Sequence, residues 1–349
     1  RLLAGALVAA GVPVVLDGSP GLRRRPMSRI VAPLKQMGAE ISASEGKPPL
    51  RINRDRHNLL GIEYRQTVAR AQVKSCLLEA GLAALGLTVL HEPGPSRDHT
   101  ERLLSQMGFD IKRRVADVDE YGITWYSTHL VPPAELRLPP VNARLPGDFS
   151  AAAFLIVAGL IIPGSEIILR QVGLNPTRTG LLDALRMMGA DITIQNPAQV
   201  AGEPLGDLVV RTSRLHGVDV AGPLVVRMID ECPAFAVAAA YSQGETRVSE
   251  AEELRHKESD RISALCTELQ KIGVSVAEAG DGFTILGGEP PIGGVVDPHG
   301  DHRLALALAV AGLAARGPVR VQAAEIIGES LPTFTAALKA LGAQVVENP

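Results

Sequence analysis

The sequence predicts an α/β (α+β) fold in two lobes, and three features carry that expectation. Five segments end a helical stretch on a hydrophobic residue, then a glycine, then an apolar strand: PLKQMGAEI at 33–41, LLSQMGFDI at 103–111, LRMMGADIT at 185–193, LQKIGVSV at 269–276 and LKALGAQVV at 338–346. An Ala-rich helical stretch with a small turn and a β-branched strand stands ahead of each. A passage at 113–146, Pro-rich near 132–146, separates two such copies from three. The glycines Gly38, Gly108, Gly189, Gly273 and Gly342 recur at intervals of about 70 to 84 residues. Glycine just past a helix end supplies a left-handed cap that other residues resist. One such turn says only that a helix stops, whereas five in register mean a duplicated module.

The elements follow in order. The apolar run Leu2 to Leu16 behind Arg1 imitates a secretory signal. Its likeness to the later copies makes it instead a helix over 2–10, a turn at Gly11 and a strand VPVVL at 12–16. The later Ala-rich helices are expected at 73–85, 150–162, 233–243 and 303–315, with turns at Gly86, Gly164, Gly244 and Gly317. Strands such as LTVL (87–90) and SEIIL (165–169) come next, and a polar loop then leads into the second helix. The repeated helix–strand–loop–helix–strand order calls for helices packed on sheets. Ala-rich helices with few large side chains pack closely, so they are expected to be buried. The first copy starts directly in its helix, with two copies before the passage and three after it. The expectation is therefore an N-terminal lobe over 1–140 with two of three units, a C-terminal lobe over 141–349 with three, and about one unit lacking at the N-terminus.

Composition narrows the function. Apolar residues at 46% and charged residues at 21% are ordinary globular usage, which excludes wholesale disorder. Aromatics at 3% leave the core to Ala, Leu, Val and Ile. A net charge of −3 argues against a general nucleic-acid or anionic-membrane binder. Any anionic ligand must then be met by local basic clusters. Cys76, Cys232 and Cys266 lie far apart with no CxxC pair, so neither a disulfide framework nor a structural zinc site is expected, and each reads as a small buried hydrophobe. The longest apolar runs fall short of the roughly 18–20 residues that cross a bilayer.

The unusual residues gather at helix entries, where free N–H groups and the dipole favour anions. LRHKESDR at 254–261 puts Lys257 and Glu258 between Arg255 and Arg261. A lysine held between two guanidinium groups gives up its proton more readily and can serve in acid–base work. The same string also reads as a solvated first helical turn. GDHR at 300–303 opens an apolar helix with His302 and Arg303. The histidine reads equally as a cap or a satisfied core residue, but an arginine there opposes the dipole, so something negative should face it. IDECP at 229–233 sets Asp230 and Glu231 before Pro233, as caps or as working carboxylates. RRRPM at 23–27 runs through Arg25 to Pro26, expected at the first helical position. PSRDHTER at 95–102 offers Ser96 as a cap, and AQVKS at 71–75 offers Gln72 and Lys74. Arg25, Lys257, Arg261 and Arg303 thus occupy equivalent loop–helix junctions and could converge. Four cations in a slightly acidic chain point to a ligand with several phosphate or carboxylate groups, which arginine grips in bidentate fashion.

Together, LRHKESDR, GDHR, IDECP, PSRDHTER, AQVKS and PGDFSAAAF (146–154) closely resemble the 5-enolpyruvylshikimate-3-phosphate (EPSP) synthase family over essentially the whole chain. The resemblance implies a two-lobed fold of βαβαββ units, five of six present here, with the active site in the cleft between lobes. It implies transfer of the enolpyruvyl group of phosphoenolpyruvate to the 5-hydroxyl of shikimate 3-phosphate by addition and elimination. Arg25, Gln72, Arg261 and Arg303 would bind phosphoenolpyruvate, and Gln72, Ser96, Asp230 and Lys257 would bind shikimate 3-phosphate. Asp230, Lys257 and Glu258 would be catalytic. No cofactor or metal is implied, the partners are the two small substrates, and a cytoplasmic protein, monomeric when complete, is expected.

The chain departs from the family pattern in three places. The opening unit's Lys-Ser…Arg set is missing, Arg70 stands where many members carry a serine, and Glu329 stands where some carry a lysine that binds phosphoenolpyruvate. Without its first unit the chain is expected to be poorly soluble or to bind shikimate 3-phosphate weakly. Two rivals stay open: an inactive fragment or binding module of this family, and a UDP-N-acetylglucosamine enolpyruvyl transferase.

Overall fold

A computed structural model describes residues 1–53 and 59–347. The chain divides into two compact units: Arg1–Arg144 with Ala201–Glu203, and Leu145–Val200 with Pro204–Pro349. Each has its own apolar core, made mainly of Ala, Leu, Val and Ile.

The first unit opens with α1 (Leu2–Ala10), β1 (Val14–Leu16), α2 (Pro20–Arg23), α3 (Ser28–Gln36), β2 (Ile41–Ser44) and β3 (Lys47–Ile52), the strands in the antiparallel order β1-β3-β2. It continues with β4 (Glu63–Arg65), α4 (Ala71–Gly81), β5 (Thr88–Pro93), α5 (His99–Gln106), β6 (Ile111–Val118) and β7 (Thr124–Leu130), in the order β4-β5-β7-β6. In the second unit α6 (Phe149–Ile161), β8 (Glu166–Gly173), α7 (Gly180–Met187), β9 (Asp191–Val200) and β10 (Glu203–Arg211) form one module. The next holds β11 (Asp219–Val220), α8 (Pro223–Met228), α9 (Cys232–Ala240), β12 (Gly244–Val248), α10 (Arg261–Lys271), β13 (Ser275–Ala279) and β14 (Gly282–Gly287), ordered β11-β12-β14-β13. The last has β15 (Gly294–Val296), α11 (His302–Ala311), β16 (Val319–Val321) and α12 (Phe334–Ala340).

The repeat read from the glycines is the repeat of the fold, except that no strand follows Gly342, where residues 343–347 form no regular element. The β4–β7 and β11–β14 sheets share strand order and pairing sense, a parallel first pair followed by two antiparallel ones. All five expected glycines are left-handed, with φ between 87° and 95°. The Ala-rich helices α4, α6, α9 and α11 are largely buried as expected, whereas α1 leaves Leu2, Leu3, Ala6 and Ala10 exposed. Every residue of α9 is buried, because a run of small side chains lets a helix be enclosed on all sides. The three cysteines are free and buried.

Four further expectations need correction. Residues 113–118 and 124–130 are not part of a connecting passage but strands of the β6–β7 hairpin, whose Thr, Trp and Tyr residues favour a pleated surface. Gly317 lacks a left-handed φ; it is close contact that holds this position, since a Cβ there would lie 2.7 Å from the Ile292 carbonyl oxygen. Pro26 lies two residues before α3, and it is Pro20 that occupies a first-turn position, behind the Ser19 cap. Ser96 does not cap α5, whose N-cap is Asp98.

Gly5 fixes the approach of α1 to α4. A Cβ at this position would lie 2.0 Å from the Cys76 carbonyl oxygen, an impossible contact with backbone. Gly5→Ala is expected to cost about 1–3 kcal/mol through overpacking, although alanine's helix propensity alone would add about 1 kcal/mol in the opposite direction. A lower urea midpoint checks this; an unchanged or raised midpoint would mean that α1 simply moves aside.

Candidate active site

In the second unit, the entries of α10 and α11 bring three cations to Asp230. Asp230 lies two residues before α9 and is half-buried. Its Oδ1 lies 3.7 Å from Lys257 Nζ and 3.8 Å from Arg261 Nη1, and its carbonyl oxygen accepts a hydrogen bond from Arg303 Nη1 at 3.1 Å. The negative group expected in front of Arg303 is therefore a main-chain carbonyl, backed by the cap carboxylate of Asp301.

Arg261, at the first position of α10, is 1% exposed. Removing a guanidinium from water is costly unless it is paired and hydrogen-bonded. Its Nε donates to Asp301 Oδ2 at 2.7 Å, and its Nη2 donates to Glu258 Oε2 at 2.7 Å and to Asp301 Oδ1 at 3.3 Å. Nη1 is buried without a hydrogen-bond partner and faces Asp230. Asp301, fully buried, also caps α11 by accepting from the Arg303 and Leu304 amides. Burial raises its pKa, but the Arg261 hydrogen bond and charge outweigh burial and hold it below its ordinary value.

Lys257 sits among carboxylates. Its Nζ donates to Glu253 Oε1 at 2.9 Å and meets Asp230 beyond it. Arg255 is engaged elsewhere, with Asp260, Glu278 and the Ala279 and Gly280 carbonyls. The expectation of a lysine crowded by two guanidinium groups is thus corrected, because each arginine has its own carboxylate partners. Neither Lys257 nor Glu258 is in a helical turn; both lie in the loop before α10. His302 opens α11 without capping it. Its Nδ1 is buried without a hydrogen-bond partner, and burial lowers its pKa.

Glu231 follows Asp230 but belongs to a different network. It is buried, accepts a hydrogen bond from the Ser150 hydroxyl and lies 3.5 Å from Arg178, tying the starts of α6 and α9 together. Burial raises its pKa in spite of Arg178. This carboxylate reads from sequence as an equal of Asp230, and only its surroundings separate the two.

The first unit holds a second group. Gln72, in the first turn of α4, accepts from Arg1 Nη1 at 2.6 Å. The Arg1 guanidinium is held below its ordinary pKa first by burial and then by the charges of Arg29, Arg25 and Arg70. Several guanidinium groups so close together make a strong local attraction for an anion. Ser96 is buried, and its hydroxyl donates to Glu92 Oε2 at 2.5 Å. The two-residue period of β5 places Glu92 on the buried face with Thr88 and Leu90. Lys74, fully enclosed, answers it at 2.8 Å and also meets Glu101 at 2.6 Å. The lysine offered by AQVKS is therefore part of the support beneath Ser96. Glu329, where some family members have a lysine, is exposed. Among the described residues, there is no group of three or more His, Cys, Asp or Glu that could hold a metal ion, and no helix is long and apolar enough to cross a membrane.

Sequence reasoning missed Asp301 and the Glu92 and Glu101 carboxylates. Asp301 stood inside a quoted motif, directly before an apolar helix, which is a recognisable cap signal. Nothing in the local sequence marks Glu92 or Glu101 as buried partners of a lysine.

The model of the EPSP synthase (3-phosphoshikimate 1-carboxyvinyltransferase) family matches residues 1–338. A 3-phosphoshikimate 1-carboxyvinyltransferase of Geobacter metallireducens is 46% identical over 347 residues, 99% of this chain and 77% of its own length. One of Xanthomonas oryzae pv. oryzae is 48% identical over 336 residues, 96% of this chain and 73% of its own. The solved EPSP synthase of Acinetobacter baumannii matches with a TM-score of 0.86 and 38% identity, covering 99% of this chain and 78% of that one. The enolpyruvyl transferase NikO of Streptomyces tendae shares the fold at a TM-score of 0.73 and 19% identity. The chain thus spans about three quarters of these relatives' length, and the expectation of a lacking first unit gains no support from matches that take in nearly all of it.

The Arg261–Asp301 pair makes stability depend on pH in a definite direction. With the folded pKa of Asp301 depressed, the pair's contribution is complete above the ordinary aspartate value and is lost as the pH falls through the lower folded value. Asp301→Asn is expected to cost about 3–5 kcal/mol at neutral pH, the usual penalty for breaking a buried pair. Thermal melts of both proteins from about pH 7 to about pH 3 should show the gap closing toward acid. A gap independent of pH would mean that Asp301 acts only as a cap.

Proposed function

The chain belongs to the EPSP synthase family, and on that premise we infer that it transfers the carboxyvinyl group of phosphoenolpyruvate to the 5-hydroxyl of shikimate 3-phosphate, releasing phosphate. Beyond family membership, the observation that carries this reading is the gathering of Lys257, Arg261 and Arg303 at Asp230. A carboxylate at this place can accept a hydroxyl proton, while the arginines suit the phosphate and carboxylate of the donor.

The residue roles belong to the same proposal. Arg261 and Arg303 bind the anionic groups of phosphoenolpyruvate; Arg261 Nη1 suits this because its burial leaves it without a hydrogen-bond partner. Arg25 and Gln72 bind the same substrate from the first unit, supported by the guanidinium cluster around Gln72. Gln72, Ser96, Asp230 and Lys257 bind shikimate 3-phosphate. To donate to its phosphate, the Ser96 hydroxyl must turn away from Glu92.

In the addition step, Asp230 takes the proton of the 5-hydroxyl as its oxygen attacks C2. Lys257 or Glu258 protonates C3, giving a tetrahedral intermediate. In the elimination step, C3 returns that proton as the C2–O bond to phosphate breaks. Arginines already aligned on the departing phosphate stabilise the charge where it grows. The proposal extends to the division of the chain into lobes of two and three βαβαββ units, and to a cytoplasmic, monomeric enzyme.

Phosphate release by the purified chain tests the reading. Release is expected to require both phosphoenolpyruvate and shikimate 3-phosphate. Release that follows UDP-N-acetylglucosamine instead, or no release with either acceptor, overturns the activity inferred for this chain. Asp230→Asn and Glu258→Gln are expected to lower kcat by about 10²–10⁴ each, the usual range for a lost acid–base group. A kcat retained within about tenfold in both would remove these residues from proton transfer.

A further inference from the structure

Glu268 lies on α10 seven residues after Arg261, two helical turns along the same face. It is fully buried, yet it stands outside the constellation around Asp230. Its carboxylate accepts from Lys271 Nζ at 2.8 Å and from the Asp297 amide at 2.9 Å, and its Oε1 lies 2.8 Å from His299 Nε2. Burial opposes its ionisation, but these hydrogen bonds outweigh burial and keep its pKa below the ordinary value.

Both partners beyond its own helix lie in the turn that leads to Arg303. That turn contains two consecutive left-handed residues, His299 at φ 53° and Gly300 at φ 69°. A non-glycine residue in this region is strained and persists only where its surroundings hold it. The Asp297 side chain accepts from the His299 amide at 2.7 Å, and the Asp301 amide closes the turn on the Pro298 carbonyl at 2.9 Å. One helix therefore grips the segment at two points: Arg261 holds Asp301, and Glu268 holds Asp297 and His299.

We propose that Glu268, with His299, is a positioning residue for the transfer reaction: it fixes the 297–301 turn so that α11 presents Arg303 beside Asp230. The inference rests on the assignment of Arg303 to phosphoenolpyruvate. A small displacement of a binding group far from its support is enough to cost a large factor in productive binding. Lys271 is half exposed and serves to neutralise the buried carboxylate, whereas the Asp297 and His299 contacts carry the positional information.

The test compares Glu268→Gln, His299→Asn and Arg303→Ala in the full chain. Asparagine tolerates the left-handed conformation, so His299→Asn removes the ring contact without adding backbone strain, and it remains informative if Glu268→Gln does not fold. Both positioning variants should raise the KM for phosphoenolpyruvate about tenfold while that for shikimate 3-phosphate stays within about twofold, with the His299→Asn melting temperature unchanged. Equal shifts in both KM values, or none in His299→Asn, would overturn the proposal. If Arg303→Ala leaves the KM for phosphoenolpyruvate unchanged, the assignment of Arg303 fails and the inference falls with it. If Arg303→Ala shifts it and the other two do not, only the positioning role fails. Amide hydrogen exchange over 297–303 gives a readout independent of turnover: faster exchange in His299→Asn supports the proposal, and unchanged protection overturns it.

Discussion

Arg261 and Asp301 are both withdrawn from water, and each meets its opposite charge at 2.7 Å. Neither could be there alone, because an uncompensated charge in an apolar interior is far costlier than a buried pair. The pair also joins two helices at their starts, since Arg261 begins α10 and Asp301 caps α11. Part of what surrounds Asp230 takes its position from this contact. Glu258 is drawn in by the second guanidinium nitrogen, and Arg303 leaves the helix that Asp301 caps. A helix start is soft by nature, with free amides and few neighbours of its own; the ion pair hardens two of them together.

The first unit solves a similar problem with different residues. Strand periodicity turns Glu92 into the interior, and Lys74 comes in with it from a helix that is buried on nearly every side. A buried carboxylate with a lysine partner then holds the Ser96 hydroxyl and the chain around it. Glu101 completes the set, its pKa raised by burial despite the nearby ammonium group. In both units the side chains at the helix starts rest on a buried ion pair, Arg261–Asp301 in one and Lys74–Glu92 in the other.

Sequence reading recovered the repeat because it rests on backbone chemistry. A left-handed residue after a helix selects glycine whatever surrounds it, so Gly38, Gly108, Gly189, Gly273 and Gly342 were legible without any tertiary knowledge. The helix starts were legible in the same way, as unusual charges at the mouths of apolar helices. Partnerships were not. Lys257 looked crowded by arginines because they are its neighbours in sequence, yet Arg255 and Arg261 turn to Asp260 and Asp301, carboxylates that only the fold identifies as theirs. Glu231 looked like a twin of Asp230, and Ser150, eighty-one residues away, is what separates them. The β6–β7 hairpin reads as a connector because β7 runs into a Pro-rich stretch and β6 carries many charges.

The left-handed glycines bear on how this architecture tolerates change. Gln72, Arg261 and Arg303 stand in the first turn of a helix, and the repeated glycines stand just past the end of one. At Gly108 and Gly342 there is open space where a side chain would project, so these turns are crowded by nothing. Length can therefore be gained or lost at the glycine end of a helix while the opposite end keeps its register against its neighbours. Drift in loop length at Gly108 or Gly342 and constancy at the start of the same helix can coexist, because they occupy opposite poles of it.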